Sequence, residues 1–385
     1  MGITIVTARG RFWILIAIVS ISGFSQGMLL PLIAIILEGH GVNSTINGLH
    51  ATGLYIGILL ASPFMEKPLQ RLGFRPIIVI GGALVFVSLL LFPLWQSLWF
   101  WFVLRVLIGI GDHMLHFGTQ TWITTTAAKE TRGRSIALYG LSFALGFALG
   151  PLMTRLIVIH ETLPFIVSSL LTIFVWALIF FVKNSWPTDE GQRIQSTSSF
   201  RRFVQAGRIA WIAMIPGFGY GFLEAALHGT FPIYGLRLGY NVELLSILIP
   251  CFAIGSIITQ FPLGMLSDRW GRKRTLTFVV FLGAISFSFA AIFETSLLAL
   301  FMTISLAGMF VGSLFSLGMS YMTDLLPSYL LPAGNILLGI VFSIGSISGP
   351  FFGGLFIQFL PGISFFYLIV ILLAFMLVTL LFKRD

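Results

Sequence analysis

The chain has 385 residues, of which 57% are hydrophobic and only 9% charged, against about 25% charged in a soluble domain. So little charge cannot cover a water-facing surface, and the mean hydropathy of +1.01 makes lipid the expected solvent. The net charge of +9 does not mark a nucleic-acid binder, because the basic residues sit in short loops between apolar runs, and the single cysteine, Cys251, leaves no internal disulfide to form.

A membrane-spanning helix needs about 20 predominantly apolar residues. The first run, 12–37, follows Arg9 and Arg11 and exceeds the roughly 7–15 residues of a signal-peptide core, so it reads as a spanning helix. Eleven further runs follow at 46–65, 76–95, 99–126, 136–157, 164–182, 205–236, 244–266, 275–293, 297–323, 334–359 and 363–382. The predicted class is an all-α membrane protein of twelve transmembrane helices. Helices 4, 7 and 10 are long enough to tilt or to extend past the bilayer.

Twelve spans put both termini on one side, and positive charge says which. With the N-terminus in the cytoplasm, 19 of the 22 Lys and Arg residues fall on cytoplasmic segments, the exceptions being Arg105, Arg155 and Arg237. The expected location is a plasma membrane, with bacterial economy in the loops. The polar stretch 183–204, KNSWPTDEGQRIQSTSSFRR and its flank, has the composition of a linker. It divides the chain into six-helix bundles at 1–182 and 205–385. The halves repeat: Gly140, Gly146, Gly150 and Pro151 recur 199 residues later as Gly339, Gly345, Gly349 and Pro350. Such repeats mark secondary transporters. A proline removes a backbone donor and locally weakens a helix, and glycine lets helix backbones approach, so this set is expected to flex helices 5 and 11.

At these motifs the chain resembles the major facilitator superfamily. The segment PLGMLSDRWGRKR, Pro262 to Arg274, resembles that family's motif between helices 8 and 9, with Gly264, Asp268, Arg269, Gly271, Arg272 and Lys273 in register. The resemblance implies a cytoplasmic gate there. The sibling between helices 2 and 3, MEKPLQRLGFRP, keeps Arg71, Gly73 and Arg75 but has Glu66 and Gln70 where the motif has Gly and Asp. RVLIGIG, from Arg105, looks like the family's helix 4 motif. Gly140 to Pro151 resembles the helix 5 motif that the family links to antiport, and helix 11 carries a fuller version ending in Gly353 and Gly354.

Ionisable side chains inside a membrane cost about 2.5–3.5 kcal/mol on insertion scales and are functional candidates. Only two acids fall within spans, Asp112 and Glu224. Arg105, Asp112, His116 and Gln120 form a predicted polar stripe along helix 4, with His113 beside it. An acid beside histidine can exchange a proton, or it can lock into a salt bridge with Arg105. A metal reading of His113 and His116 lacks further ligands, and no cofactor is implied. Glu224 and His228 lie one turn apart on helix 7, and Gln26 before Pro31 is the comparable polar residue of helix 1. Because helices 1, 4, 7 and 10 line the cavity in the resembled family, these groups and Tyr55 are the expected cavity residues.

The expected function is secondary active transport of a small molecule, with protons as the coupling ion and export as the direction, by a monomer embedded in the bilayer. Uptake or exchange of an organic anion through Arg105, or lipid flipping on the same fold, are the rival readings. A nucleotide-driven pump is disfavoured by the lack of a G-x-x-x-x-G-K-[ST] sequence. A membrane enzyme is disfavoured by the lack of a nucleophile or metal set at recognisable spacing.

Overall fold

A computed structural model describes residues 6–127, 132–187 and 199–382. Lys129, Arg193, Lys383 and Arg384 of the charge count, and the linker positions 188–198, lie outside the described residues. Sixteen α-helices are described: α1 Ala8–Gly39, α2 Ser44–Ala51, α3 Gly53–Ala61, α4 Glu66–Leu72, α5 Phe74–Leu91, α6 Leu98–Thr126, α7 Arg132–Leu149 and α8 Leu163–Ala177, then α9 Ser199–Gly229, α10 Phe231–Arg237, α11 Val242–Trp270, α12 Arg272–Ile292, α13 Leu297–Val311, α14 Leu314–Leu325, α15 Leu331–Phe359 and α16 Phe366–Phe382. Ten stretches are long and apolar enough to cross a membrane, and α16 is a shorter apolar helix. With α2 and α3 as the second span, these account for the twelve expected crossings, and the described residues form no strand.

Several predicted single helices are broken, each for a local reason. The run at 46–65 divides at Thr52, whose Oγ1 donates to the Leu49 carbonyl at 2.6 Å while its amide donates to the same oxygen at 3.1 Å. The run at 205–236 divides at Thr230 (φ −121°, ψ −37°), just before Pro232 in the first turn of α10, where proline has no N–H for the His228 carbonyl. Helix 5 loses α geometry where Pro151 falls: α7 ends at Leu149, and Gly150–Val158 continue as 3₁₀ helix. Helix 11 behaves differently, because α15 runs through Pro350 as continuous α-helix. The shared Gly-Pro pattern therefore produces a change of helix type in one half only.

Packing divides the chain into two compact units, Met1–Leu32 with Gly53–Ile194, and Ile33–Thr52 with Gln195–Asp385. The hairpin 33–52 thus packs with the second unit, although by chain order it belongs to the first six spans. Arg237 Nε donates to Glu38 Oε1 at 2.7 Å, and its Nη2 donates to Ser44 Oγ at 2.5 Å. Gly48 and Gly354 bring the hairpin against α15 so closely that a β-carbon on either would overlap the Pro350 or Ser44 carbonyl oxygen. The first part of the sequence-defined linker, Lys183–Pro187, belongs to the first unit. Asn184 Nδ2 donates to the Leu72 carbonyl at 2.9 Å, and its Oδ1 accepts from the Arg75 amide at 3.0 Å.

Each unit is held by the same two crossings. A β-carbon at Gly146 or Gly150 would overlap the Ser20 or Phe24 carbonyl of α1, and one at Gly345 or Gly349 would overlap the Phe218 or Phe222 carbonyl of α9. Gly57 and Gly109 bring α3 onto α6 against the carbonyls of Val106 and Leu54, and Gly255 and Gly308 bring α11 onto α13 against those of Ser305 and Phe252. This second repeat, offset by 198 and 199 residues, was not read from the sequence. Lipid tails supply no hydrophobic drive between helices, so close backbone approach carries their association. Gly140 and Gly339, the first pair of the predicted flexing set, are different: a β-carbon on either meets nothing within 4 Å.

Gly146→Ala should therefore lower thermal stability in detergent, by about 1–3 kcal/mol for an overpacked contact. Gly140→Ala should leave it unchanged or slightly raised, because alanine is the better helix former.

Candidate functional site

The first unit's polar centre is built on α6. Asp112 is fully buried. Ser22 Oγ of α1 donates to Asp112 Oδ1 at 2.7 Å, and Gln26 Nε2, one turn along, donates to Ser22 Oγ at 3.4 Å. Asp112 Oδ2 is buried without a hydrogen-bond partner among the described residues. No ion pair reaches the carboxyl among those residues, so the salt bridge with Arg105 considered from the sequence is not the arrangement found.

Arg105 is instead a helix anchor. Fully buried, it donates from Nη2 to the Leu29 and Leu30 carbonyls of α1 at 3.1 and 3.4 Å. These carbonyls immediately precede Pro31, and Tyr55 of α3 lies beside the guanidinium. Arg105 and Asp112 thus share a face of α6 and face the same neighbouring helix, α1, but at different heights.

The histidines have other partners than the acid. His116 Nδ1 lies 2.8 Å from Tyr139 Oη of α7, and Tyr139 Oη lies 3.2 Å from Thr119 Oγ1. Thr119 Oγ1 donates to the Leu115 carbonyl at 2.6 Å, and Tyr139 Oη also donates to the His116 backbone carbonyl at 3.3 Å. His116, Tyr139 and Thr119 thus form one hydrogen-bonded cluster between α6 and α7 that does not include Asp112. Phe143 closes edge-on over the imidazole at 4.6 Å between ring centroids. His113 is half-buried and stacks on Phe117. Gln120 is exposed. It lies about 60° around the helix from Arg105, because 15 residues of α-helix rotate by that much beyond a whole number of turns.

In the second unit, Glu224 of α9 is half-buried and accepts from Tyr220 Oη, one turn earlier, at 3.2 Å. His228 is buried, and its Nδ1 lies 2.9 Å from the Glu224 backbone carbonyl. A carbonyl only accepts, so Nδ1 carries the proton. His228 therefore braces the helix rather than the Glu224 carboxyl.

The loop between α11 and α12 turns at Gly271, whose φ of +94° favours glycine. Arg272 pairs with Asp268 at 2.5 Å and with Asp324 at the end of α14 at 3.0 Å, and also donates to Ser267 Oγ at 3.2 Å. Arg269 and Lys273 flank this cluster, and a β-carbon at Gly264 would meet open space. The sequence reading gave no site role to Asp324, Ser22, Tyr139 or Asn184. Ser22 precedes Gln26 by four residues, one helical turn, but Ser20 and Ser25 share the stretch and only the packing of α1 on α6 selects among them. The partners Asp324 and Asn184 lie 52 and 109 residues from the groups they bind, and no local pattern gives that. Among the described residues no group of three or more His, Cys, Asp or Glu is placed to hold a metal ion.

Two repeated helical units with buried carboxyls inside apolar spans define a polytopic secondary transporter. The family model for the Major Facilitator Superfamily matches residues 15–250 and 217–385, and the chain belongs to that superfamily. It is 55% identical over 367 residues to YfkF, an uncharacterized MFS-type transporter of Bacillus subtilis (strain 168), covering 95% of this chain and 94% of that protein. It is 25% identical over 339 residues to the uncharacterized MFS-type transporter YcaD of Escherichia fergusonii, covering 84% and 85% of the two chains. Among solved structures, the nucleoside transporter NupG matches with a TM-score of 0.76 at 13% identity, over 97% of this chain and 100% of that one. A bacterial homologue of the human lysosomal transporter Spinster matches at 0.70 and 16%, over 96% and 93%. At these identities the likeness is one of fold.

Removing the hydroxyl in Ser22→Ala leaves a buried oxygen of Asp112 without its donor and should cost about 1–3 kcal/mol. Gln120→Ala should stay within about 0.5 kcal/mol of the parent. Thermal unfolding of the purified proteins in one detergent reads both.

Proposed function

We propose that this major facilitator transporter, which moves a small molecule across the membrane by alternating access, couples that movement to protons and works as an exporter of small, partly apolar or cationic compounds. The observation that carries the reading is Asp112: a fully buried carboxyl in a membrane helix, reached by the Ser22 hydroxyl at Oδ1 and by the Gln26 side chain, both neutral, with no ion pair among the described residues. A carboxyl without a basic partner can gain or lose a proton without breaking a salt bridge, and a carboxyl inside a span costs too much to be kept for packing alone. Glu224, held by Tyr220 in the second unit, is the second carboxyl of the scheme. The Gly-Pro break after α7, in the segment resembling the family's antiport motif, supports export.

Arg105 weighs against its use as the seat of an organic anion, because its Nη2 is already committed to the Leu29 and Leu30 carbonyls. The charge asymmetry of the loops supports cytoplasmic termini in a bacterial plasma membrane, and we read the working form as a monomer.

Asp112→Asn removes the exchangeable proton while keeping shape and size. In proteoliposomes holding a pH-sensitive dye, substrate-evoked proton movement should fall to background, while insertion and thermal stability stay close to the parent. Proton movement at the parental rate would remove Asp112 from the coupling step.

A further inference from the structure

The start of α9 carries a charged surface that the transport reading does not use. Arg201, Val204, Gln205, Arg208 and Ile209 line an open cleft of about 530 Å³. Their spacing of three, four, seven and eight residues places them on one face of the helix, and all five are exposed. Among the described residues the lining holds two guanidinium groups and no acid. Gln205 is steadied by its Nε2 donating to Tyr329 Oη at 3.0 Å. Just beyond, the backbone leaves helical geometry at Ala210 (φ −111°, ψ 17°), and Trp211 is 47% exposed. The kink separates a basic opening segment from the apolar span, and tryptophan is the residue enriched at the water–lipid boundary. The basic residues thus open the candidate span Arg201–Gly229, at the end that the charge asymmetry of the loops assigns to the cytoplasm.

We propose that this cleft binds the phosphate headgroup of an anionic phospholipid. Arginine presents a planar fork of donors that matches phosphate oxygens. Arg201 and Arg208, about 10 Å apart along the axis, close on the headgroup from two sides. Val204 and Ile209 lie alongside, where the first acyl carbons run. That apolar flank is what separates a lipid from a free phosphate ester, which has nothing to place there. Clustered basic residues beside a membrane span attract anionic lipid in proportion to their number. The site is independent of proton coupling, since it shares no residue with the Asp112 or Glu224 clusters.

The test is lipid retention by the full-length protein, released from detergent in a native mass spectrometer, with phosphatidylglycerol and phosphatidylcholine of identical acyl chains. The parent should retain phosphatidylglycerol selectively. The Arg201→Gln/Arg208→Gln variant should retain it about thirtyfold more weakly, whereas Arg9→Gln/Arg11→Gln, which removes the same charge at the other unit, should behave as the parent. Equal retention by the parent and the Arg201→Gln/Arg208→Gln variant overturns the proposal. Displacement of the lipid by equimolar glycerol 3-phosphate also overturns it, by assigning the cleft to a soluble phosphate ester. So does a stability loss in the variant that is the same in both lipids and is reproduced by Asp189→Asn/Glu190→Gln, because the arginines would then serve the chain's own linker acids.

Discussion

Within a bilayer, two apolar helices gain no hydrophobic free energy by leaving lipid for each other, so what holds them is contact between atoms at close range. In this protein that constraint is met where backbones touch. Gly146 and Gly150 against α1, Gly57 and Gly109 between α3 and α6, and their counterparts in the second unit all sit where a single methyl group would strike a carbonyl oxygen. The crossings set the height and rotation of α6 and α9, and through them the positions of Asp112 and Glu224. The polar chemistry is built on these crossings rather than added beside them.

The second constraint is polar satisfaction without water. Arg105 meets it by donating to carbonyls of α1, and His116, Tyr139 and Thr119 meet it with a cluster of mutual hydrogen bonds that reaches the Leu115 carbonyl. Asp112 meets it only in part. An arginine and a histidine lie on the same helix within two turns, yet both are engaged elsewhere and the acid has the neutral side chains of Ser22 and Gln26 against it. Other buried polar atoms, Ser25 Oγ, Asn47 Oδ1 and Trp122 Nε1 among them, also lack a partner among the described residues, so what sets Asp112 apart is that it is a carboxyl with only neutral groups against it.

Much of the fold was readable from the chain because lipid imposes so simple a rule on composition. Run length gave the number and order of crossings, and the recurrence of Gly-Pro gave the two-fold repeat. The repeat in α3, α6, α11 and α13 went unread because lone glycines in apolar helices are common, and their pairing depends on which helices cross. Spacing along helix 4 could group Arg105, Asp112, His116 and Gln120, but it could not say that Arg105 donates to α1 carbonyls and that His116 joins the Tyr139 cluster, because those partners lie on other helices.

The sequence alone determined the solvent, the helix count, the repeat and the identity of the intramembrane acids, because each follows from composition or spacing along one chain. Only the tertiary structure decided that Ile33–Thr52 packs with the second unit, that Ser22 rather than histidine holds Asp112, and that Arg272 bridges Asp268 and Asp324. Those outcomes depend on side chains meeting across helices far apart in sequence, and contact at that range is fixed by packing geometry, which no local pattern encodes.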